Sequence, residues 1–256
     1  MDENGPLPPG VVIICASYSP LVYVSKALPP MQSLDDTSEF DLPSILGRLS
    51  AINGPAGSLE VDFRESADPR AGKVAVICHP HPQHDGTMDN KVVTTLSRTY
   101  SKLGWHSLRF NFRGVGQSDG SYGHLKGEIE DLQAIVSFIR TEFPHAVISL
   151  AGFSFGSAVA ANVAKSEEGI AHLLLIAPPV GKYELEFPEN LACPTLVVQG
   201  SLDDVVDLAR TRDWAKSAKG KITYCELPDA GHFFHGKLTE LATTVSKNFS
   251  PQLVKF

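Results

Sequence analysis

From about residue 47 onward, apolar positions recur along the chain with two periods that take turns. Segment 59–65, LEVDFRE, alternates apolar and polar positions as a half-buried strand does. Segment 73–78, KVAVIC, is a continuous β-rich run, the pattern of a parallel strand buried on both faces. Further strands are expected over 106–112 (HSLRFNF), 146–152 (AVISLAG), 171–178 (AHLLLIAP), 195–200 (TLVVQG) and 221–227 (KITYCEL). Between them the period lengthens to that of a helix. In 87–104, Val92, Val93, Leu96, Tyr100 and Leu103 fall at helical spacing, Thr87 and Asp89 offer capping groups, Asp89 and Asn90 are expected to cap or start the helix, and Gly104 ends the segment. In 128–143, Ile129, Leu132, Val136 and Ile139 form one stripe that stops before Pro144. Helices are also expected over 157–166, 208–219 and 237–249. Strand and helix alternating in this way predict an α/β fold, a mostly parallel twisted sheet with helices on both faces.

Residues 1–46 break the rhythm. They are rich in proline and include the polar, acidic QSLDDTSEFD at 32–41. They are expected to form an N-terminal extension, partly ordered, to a domain over 47–256. A sharper alternative gives the apolar stretch 11–24 a groove to cover on the enzyme or on a partner subunit. That stretch is interrupted by Pro20 and falls short of the roughly 20 residues a spanning helix needs, so no membrane insertion is expected. Asp2 and Glu3 precede it without a Lys or Arg, unlike a secretory signal. A formal net charge of −7 repels phosphate backbones and argues against a nucleic-acid partner. Cys15, Cys78, Cys193 and Cys225 show no C-x-x-C spacing and read as free thiols in a reducing, cytoplasmic setting.

The chemistry concentrates where strands end. After AVISLAG the chain reads Gly152-Phe153-Ser154-Phe155-Gly156 and then turns helical. A serine on a sharp strand-to-helix turn needs neighbours without bulk, because the backbones pack closely there. Such a turn lifts the Ser154 hydroxyl above the strand ends. It also aims the Phe155 N–H, at a helix N-terminus, at a developing oxyanion. A nucleophilic serine needs a base. His232, in the loop directly after the last strand, is the first candidate, with His235 as its rival. The base needs an acid to hold its tautomer. Asp203, in the turn after TLVVQG, is favoured over Asp204, while Asp207 reads as a helix cap.

The loop after KVAVIC, HPHPQHDG at 79–86, spaces three histidines as H-x-H-x-x-H. That spacing suits zinc, but Gln83 stands where the comparable metal motif has Asp, and no later segment offers a matching ligand set. No metal is therefore expected. FRGVGQSDG at 112–120 lacks the G-x-G-x-x-G pattern and the P-loop lysine, and Arg113 there is expected to make structural hydrogen bonds.

Taken together, CHPHPQHDGTMDNKVV (78–93), LRFNFRGVGQSDG (108–120), LAGFSFGS (150–157), IAPPVG (176–181), QGSLDDVVD (199–207) and LPDAGHFFHGKL (227–238) resemble the α/β-hydrolase superfamily. The resemblance is to small, lidless bacterial carboxylesterases related to dienelactone hydrolase, although Ser154 stands where that enzyme has cysteine. It implies the α/β-hydrolase fold and a triad of Ser154, Asp203 and His232. It also implies that the loop after the third strand gives the second oxyanion donor. Prolines lack an N–H, so of positions 80 to 82 only His81 can donate from its backbone; Gln83 is the fallback. Only 179–194 separates the sixth strand from the next, too short for a lid domain. The expectation is a serine hydrolase of small, short-acyl carboxylic esters, working without metal or organic cofactor. Thioester, lactone or amide hydrolysis would use the same groups, and a non-catalytic binding module is the alternative of another class. The expected partner is a small-molecule ester, with a homodimer left open.

Overall fold

A computed structural model describes residues 46–68, 72–183 and 187–249. Apart from Leu46, the expected N-terminal extension lies outside the described residues, as does Cys15. The strands are β1 (Ala51–Gly54), β2 (Gly57–Arg64), β3 (Lys73–Cys78), β4 (His106–Phe110), β5 (Val147–Phe153), β6 (Ile170–Ile176), β7 (Thr195–Gly200) and β8 (Ile222–Leu227). The helices are α1 (Lys91–Lys102), α2 (Lys126–Glu142), α3 (Phe155–Ser166), α4 (Leu208–Ser217) and α5 (Leu238–Asn248). The eight strands form one sheet in the order β1-β2-β4-β3-β5-β6-β7-β8. The β1–β2 and β2–β4 pairs are antiparallel, and every later pair is parallel.

The central strands are apolar throughout because both faces are covered, and successive side chains go to opposite faces. On one face Val74, Val76, Leu150, Leu173, Leu175 and Val197 pack with Leu132 and Val136 of α2 and Val159 of α3. On the other, Ala75, Ile77, Phe153, Leu174 and Val198 pack with Val93 and Leu96 of α1 and Leu241 and Val245 of α5. The sheet is thus an α/β-hydrolase sheet with helices on both faces.

Two expectations needed adjustment. The hairpin strand β1 was not read from the sequence: its four residues, AING, carry one buried side chain, Ile52, and are held as a strand by register with β2. Helix α1 begins later than expected. Its N-cap is Asn90, whose side chain accepts from Val92 N–H at 2.9 Å, while Asp89 is drawn to Arg109 at 3.1 Å. Arg113 does serve structure: it bonds Asp131 at 2.9 and 2.7 Å and Glu130 at 3.2 Å, pinning the turn after β4 to α2. Asp207 caps α4 by accepting from Arg210 N–H at 3.0 Å.

Candidate active site

The parallel register sets the carboxyl ends of β3 and β5 side by side, with Cys78 opposite Gly152. It sets those of β7 and β8 side by side as well, with Gly200 opposite Leu227. The loops leaving these four ends build the site.

Ser154 occupies the turn between β5 and α3 with φ 52° and ψ −120°, a conformation that costs a non-glycine residue about 1–3 kcal/mol. The surroundings hold it there. Ser154 N–H donates to Ile176 O at 2.8 Å, and Ser157 Oγ bonds the carbonyls of Gly152 and Ile176 at 2.7 and 2.9 Å. Both glycines of the motif are required by contact. A Cβ on Gly152 would lie 2.2 Å from Gly156 O, and one on Gly156 would lie 2.4 Å from Cys78 O and 2.5 Å from His79 O. The second contact presses the N-terminus of α3 against the histidine loop.

The Asp and His loops are stitched in the same way. A Cβ on Gly200 would lie 2.3 Å from Ala230 O, and Leu202 N–H donates to that same carbonyl at 2.9 Å. His232, 3% exposed, is thereby placed between its two partners. Its Nε2 lies 3.0 Å from Ser154 Oγ and its Nδ1 lies 2.8 Å from Asp203 Oδ2. Asp203 Oδ2 also accepts from Gln199 Nε2 at 2.7 Å, and its Oδ1 accepts from the N–H groups of Val205 and Val206 at 2.9 and 3.0 Å. Desolvation pushes the Asp203 carboxyl up. The hydrogen bonds from His232, Val206 and Val205 and the charge of His232 outweigh it, so the group ends below its ordinary value. The rivals lie elsewhere: Asp204 and His235 are exposed, and the His235 ring stacks on Phe233.

The three histidines of HPHPQHDG do three different things. His79 is fully buried and points inward. Its Nδ1 lies 2.6 Å from Pro80 O, which can only accept, and its Nε2 lies 3.1 Å from Phe112 N–H, which can only donate. The ring is therefore the neutral Nδ1–H tautomer. Burial, reinforced by His81 and opposed by the Pro80 hydrogen bond, pushes its pKa down to about 3. His81 caps a short 3-10 turn, Pro82–His84: its Nδ1 accepts from Gln83 N–H at 3.1 Å, and its Nε2 faces Tyr122 Oη at 3.2 Å. Burial, with the charges of His84 and Lys182, lowers the His81 pKa. His84 is exposed and packs its ring near His81. Among the described residues, no three His, Cys, Asp or Glu side chains converge to hold a metal ion.

Around the His81 ring stand Tyr122, Phe155 and Tyr183, with ring centroids 5.0, 4.9 and 6.2 Å away. Phe153, Phe155 and Phe234 are buried, whereas Phe233 is exposed beside His232. Sequence reasoning missed Gln199, Tyr122 and the inward role of His79. The signals were a polar residue closing an apolar strand and a histidine directly following one.

A serine on a strained strand-to-helix turn, a histidine bonded to that serine and to a carboxylate, and a mostly parallel sheet define an α/β serine hydrolase in form. Comparison with known proteins agrees. The profile of the family described as serine aminopeptidase, S33, matches residues 69–188. A structure of an α/β serine hydrolase homologue from Coxiella burnetii is 39% identical, with a TM-score of 0.73, over 78% of this chain and 96% of that one. A lidless α/β serine hydrolase from Xanthomonas campestris is 36% identical, with a TM-score of 0.73, over 80% and 94%. An uncharacterized protein of Rickettsia prowazekii is 33% identical over 204 residues, 76% of this chain and 85% of the relative. The chain belongs to the α/β-hydrolase family of serine hydrolases, and among the described residues there is no separate lid domain.

Proposed function

We propose that this protein is a carboxylesterase acting on small, short-acyl esters. The observation that carries the reading is the chain of hydrogen bonds from Ser154 through His232 to Asp203, at 3.0 and 2.8 Å. Ser154 Oγ attacks the ester carbonyl as His232 Nε2 takes its proton. The C–O bond to the alcohol then breaks, and His232 gives that proton to the departing oxygen. Water enters, loses a proton to His232 and attacks the acyl-enzyme; the acid leaves and Ser154 recovers its proton. Asp203 holds Nδ1–H and stabilises the imidazolium formed twice in the cycle.

The oxyanion is held by the N–H groups of Phe155 and His81. Support for His81 over Gln83 comes from the bonds already made in the loop. Gln83 N–H is taken by His81 Nδ1, whereas His81 N–H has no acceptor among the described residues. The family description raises amide hydrolysis at a free N-terminus as a second reading. Lys182, whose charge reaches His81 and whose Nζ donates to Val205 O at 3.3 Å, sets a cation near the candidate site, which supports a substrate without an ammonium of its own. Esters are therefore favoured.

The test is labelling by a fluorophosphonate together with turnover of nitrophenyl esters and aminoacyl nitroanilides. Labelling and ester turnover, both lost in Ser154→Ala, are expected. Faster turnover of the anilides would replace this reading with the peptidase one. No labelling of the intact protein would point to a non-catalytic module.

A further inference from the structure

We infer that His79 is a positioning residue that aims the oxyanion donor, an inference that rests on the esterase reading above. The key is the Pro80–His81 peptide unit. A peptide preceding a non-proline residue is planar and trans, so its C=O and N–H point in opposite directions. Pro80 O is held at 2.6 Å by Nδ1 of His79, a ring wholly buried beneath the loop. Fixing that oxygen inward fixes His81 N–H outward, away from the buried ring; α3 abuts the same loop, with Gly156 packed against Cys78 O and His79 O.

His79 is itself fixed. Nε2 accepts from Phe112 N–H at 3.1 Å and the ring lies 4.6 Å from that of Phe112, so the clamp is anchored to the segment leaving β4. The carbonyl of His81 is held separately, accepting from His84 and Gly86 N–H at 3.0 and 3.1 Å. Peptide planes on either side of the His81 Cα are thus both tethered. Proline at 80 and 82 removes the competing donors, and His79 orients the one that remains. Its neutrality matters too: a protonated ring carries N–H on both nitrogens and could no longer accept from Phe112 N–H, so the anchor would be lost.

Two amide variants separate the ring's nitrogens. In His79→Asn the side-chain N–H falls near the place of Nδ1 and can still hold Pro80 O. In His79→Gln the amide falls near Nε2, keeping Phe112 and releasing Pro80. Rates on nitrophenyl acetate are normalised to sites titrated with fluorophosphonate, so unfolded molecules drop out. The expected result is His79→Asn within about threefold of wild type. His79→Gln is expected to lose about 10- to 100-fold in kcat with KM nearly unchanged, since a misaimed donor acts on the transition state. Affinity for a trifluoromethyl ketone, whose oxyanion occupies the same place, falls in step with kcat. Equal activity of the two variants, or a loss confined to KM, overturns the inference. A measurement on the unaltered protein stands beside these: nitrogen NMR of His79 showing the Nε2–H tautomer also overturns it, whatever the variants do. A wild-type protein that neither takes the fluorophosphonate nor turns over esters sinks the esterase reading instead, and that control is read first.

Discussion

Gln199 and Asp203 are joined by a 2.7 Å hydrogen bond to the same carboxylate oxygen that holds His232. Gln199 sits fully buried near the end of β7, opposite Glu226 of β8, and its Nε2 is committed to Asp203. Bonds to a buried carboxylate are worth about 1.5–3 kcal/mol. Gln199→Leu is therefore expected to lower unfolding free energy by about that amount and kcat by roughly tenfold, as the carboxylate loses a donor and His232 its fixed axis. Gln199→Glu sets a second carboxyl against Asp203 and is expected to be worse in both respects. Chemical denaturation and steady-state rates check both; a Gln199→Leu protein equal to wild type in the two measurements contradicts the assigned role.

Acid sensitivity is expected to come from buried neutral histidines. Burial lowers the His172 pKa to about 4, and its ring packs 4.3 Å from that of Phe249. The folded value lies below the unfolded value of about 6.5, so below that pH the unfolded chain binds the extra proton. The contribution of the neutral ring is complete above about pH 6.5 and is lost as pH falls toward 4, roughly 3 kcal/mol in all at 1.36 kcal/mol per unit. His79 adds to the slope in the same direction and continues it to about pH 3. His172→Leu is expected to flatten stability against pH between 6.5 and 4 without abolishing the slope. Urea titrations across that range measure it directly. A slope unchanged by the substitution contradicts a neutral buried His172.

The periodic part of the chain was legible because each central strand is buried on two faces, which leaves a continuous apolar run, and each helix on one. Ser154, Asp203 and His232 were legible because each stands in the turn after a strand end, and parallel strands bring such turns to one edge. Other features depended on partners remote in sequence. Thr87, Asp89 and Asn90 each offered a cap to α1, and the local pattern of polar residues does not decide among them; Asn90 takes the place while Asp89 pairs with Arg109, 20 residues away. The spacing of the three histidines likewise does not reveal that His79 faces Phe112, 33 residues away. A spacing rule describes neighbours along the chain, and the direction of a side chain in a proline-fixed loop is decided by what lies beneath it.

Arg113 and Asp131 form an ion pair in which the carboxylate side is fully buried. Its attraction is offset by desolvation, so the pair adds little net stability, but breaking one half leaves a buried charge unmatched. Arg113→Met is expected to cost about 3–5 kcal/mol. The double change Arg113→Met with Asp131→Leu is expected to recover part of that loss, falling short of wild type because Arg113 N–H also donates to Asp131 Oδ2 at 3.0 Å. A double-mutant cycle by thermal unfolding checks the coupling. Rates per titrated site should hold within a few fold, since the Arg113 guanidinium is engaged with Asp131 and Glu130 and not with the Ser154 network. Strict additivity of the two single losses would contradict a coupled pair.

The exposed apolar side chains bear on which esters are preferred. Among the described residues the large ones are Leu202, Val205 and Phe233, at 63, 39 and 49% exposed, and all three flank Asp203 or His232. They stand on the loops that carry Asp203 and His232, and among the described residues no lid domain covers them. Each methylene buried against such side chains adds about 0.8 kcal/mol, and a methylene left in water adds nothing. Across a nitrophenyl series from acetyl to palmitoyl, kcat/KM is therefore expected to rise over the first few carbons and then level or fall. Phe233→Ser is expected to erase the initial rise while sparing the acetyl ester, because it removes contact area and leaves the Ser154–His232–Asp203 bonds in place. A maximum at palmitoyl would overturn the short-acyl preference, with the serine chemistry itself left standing.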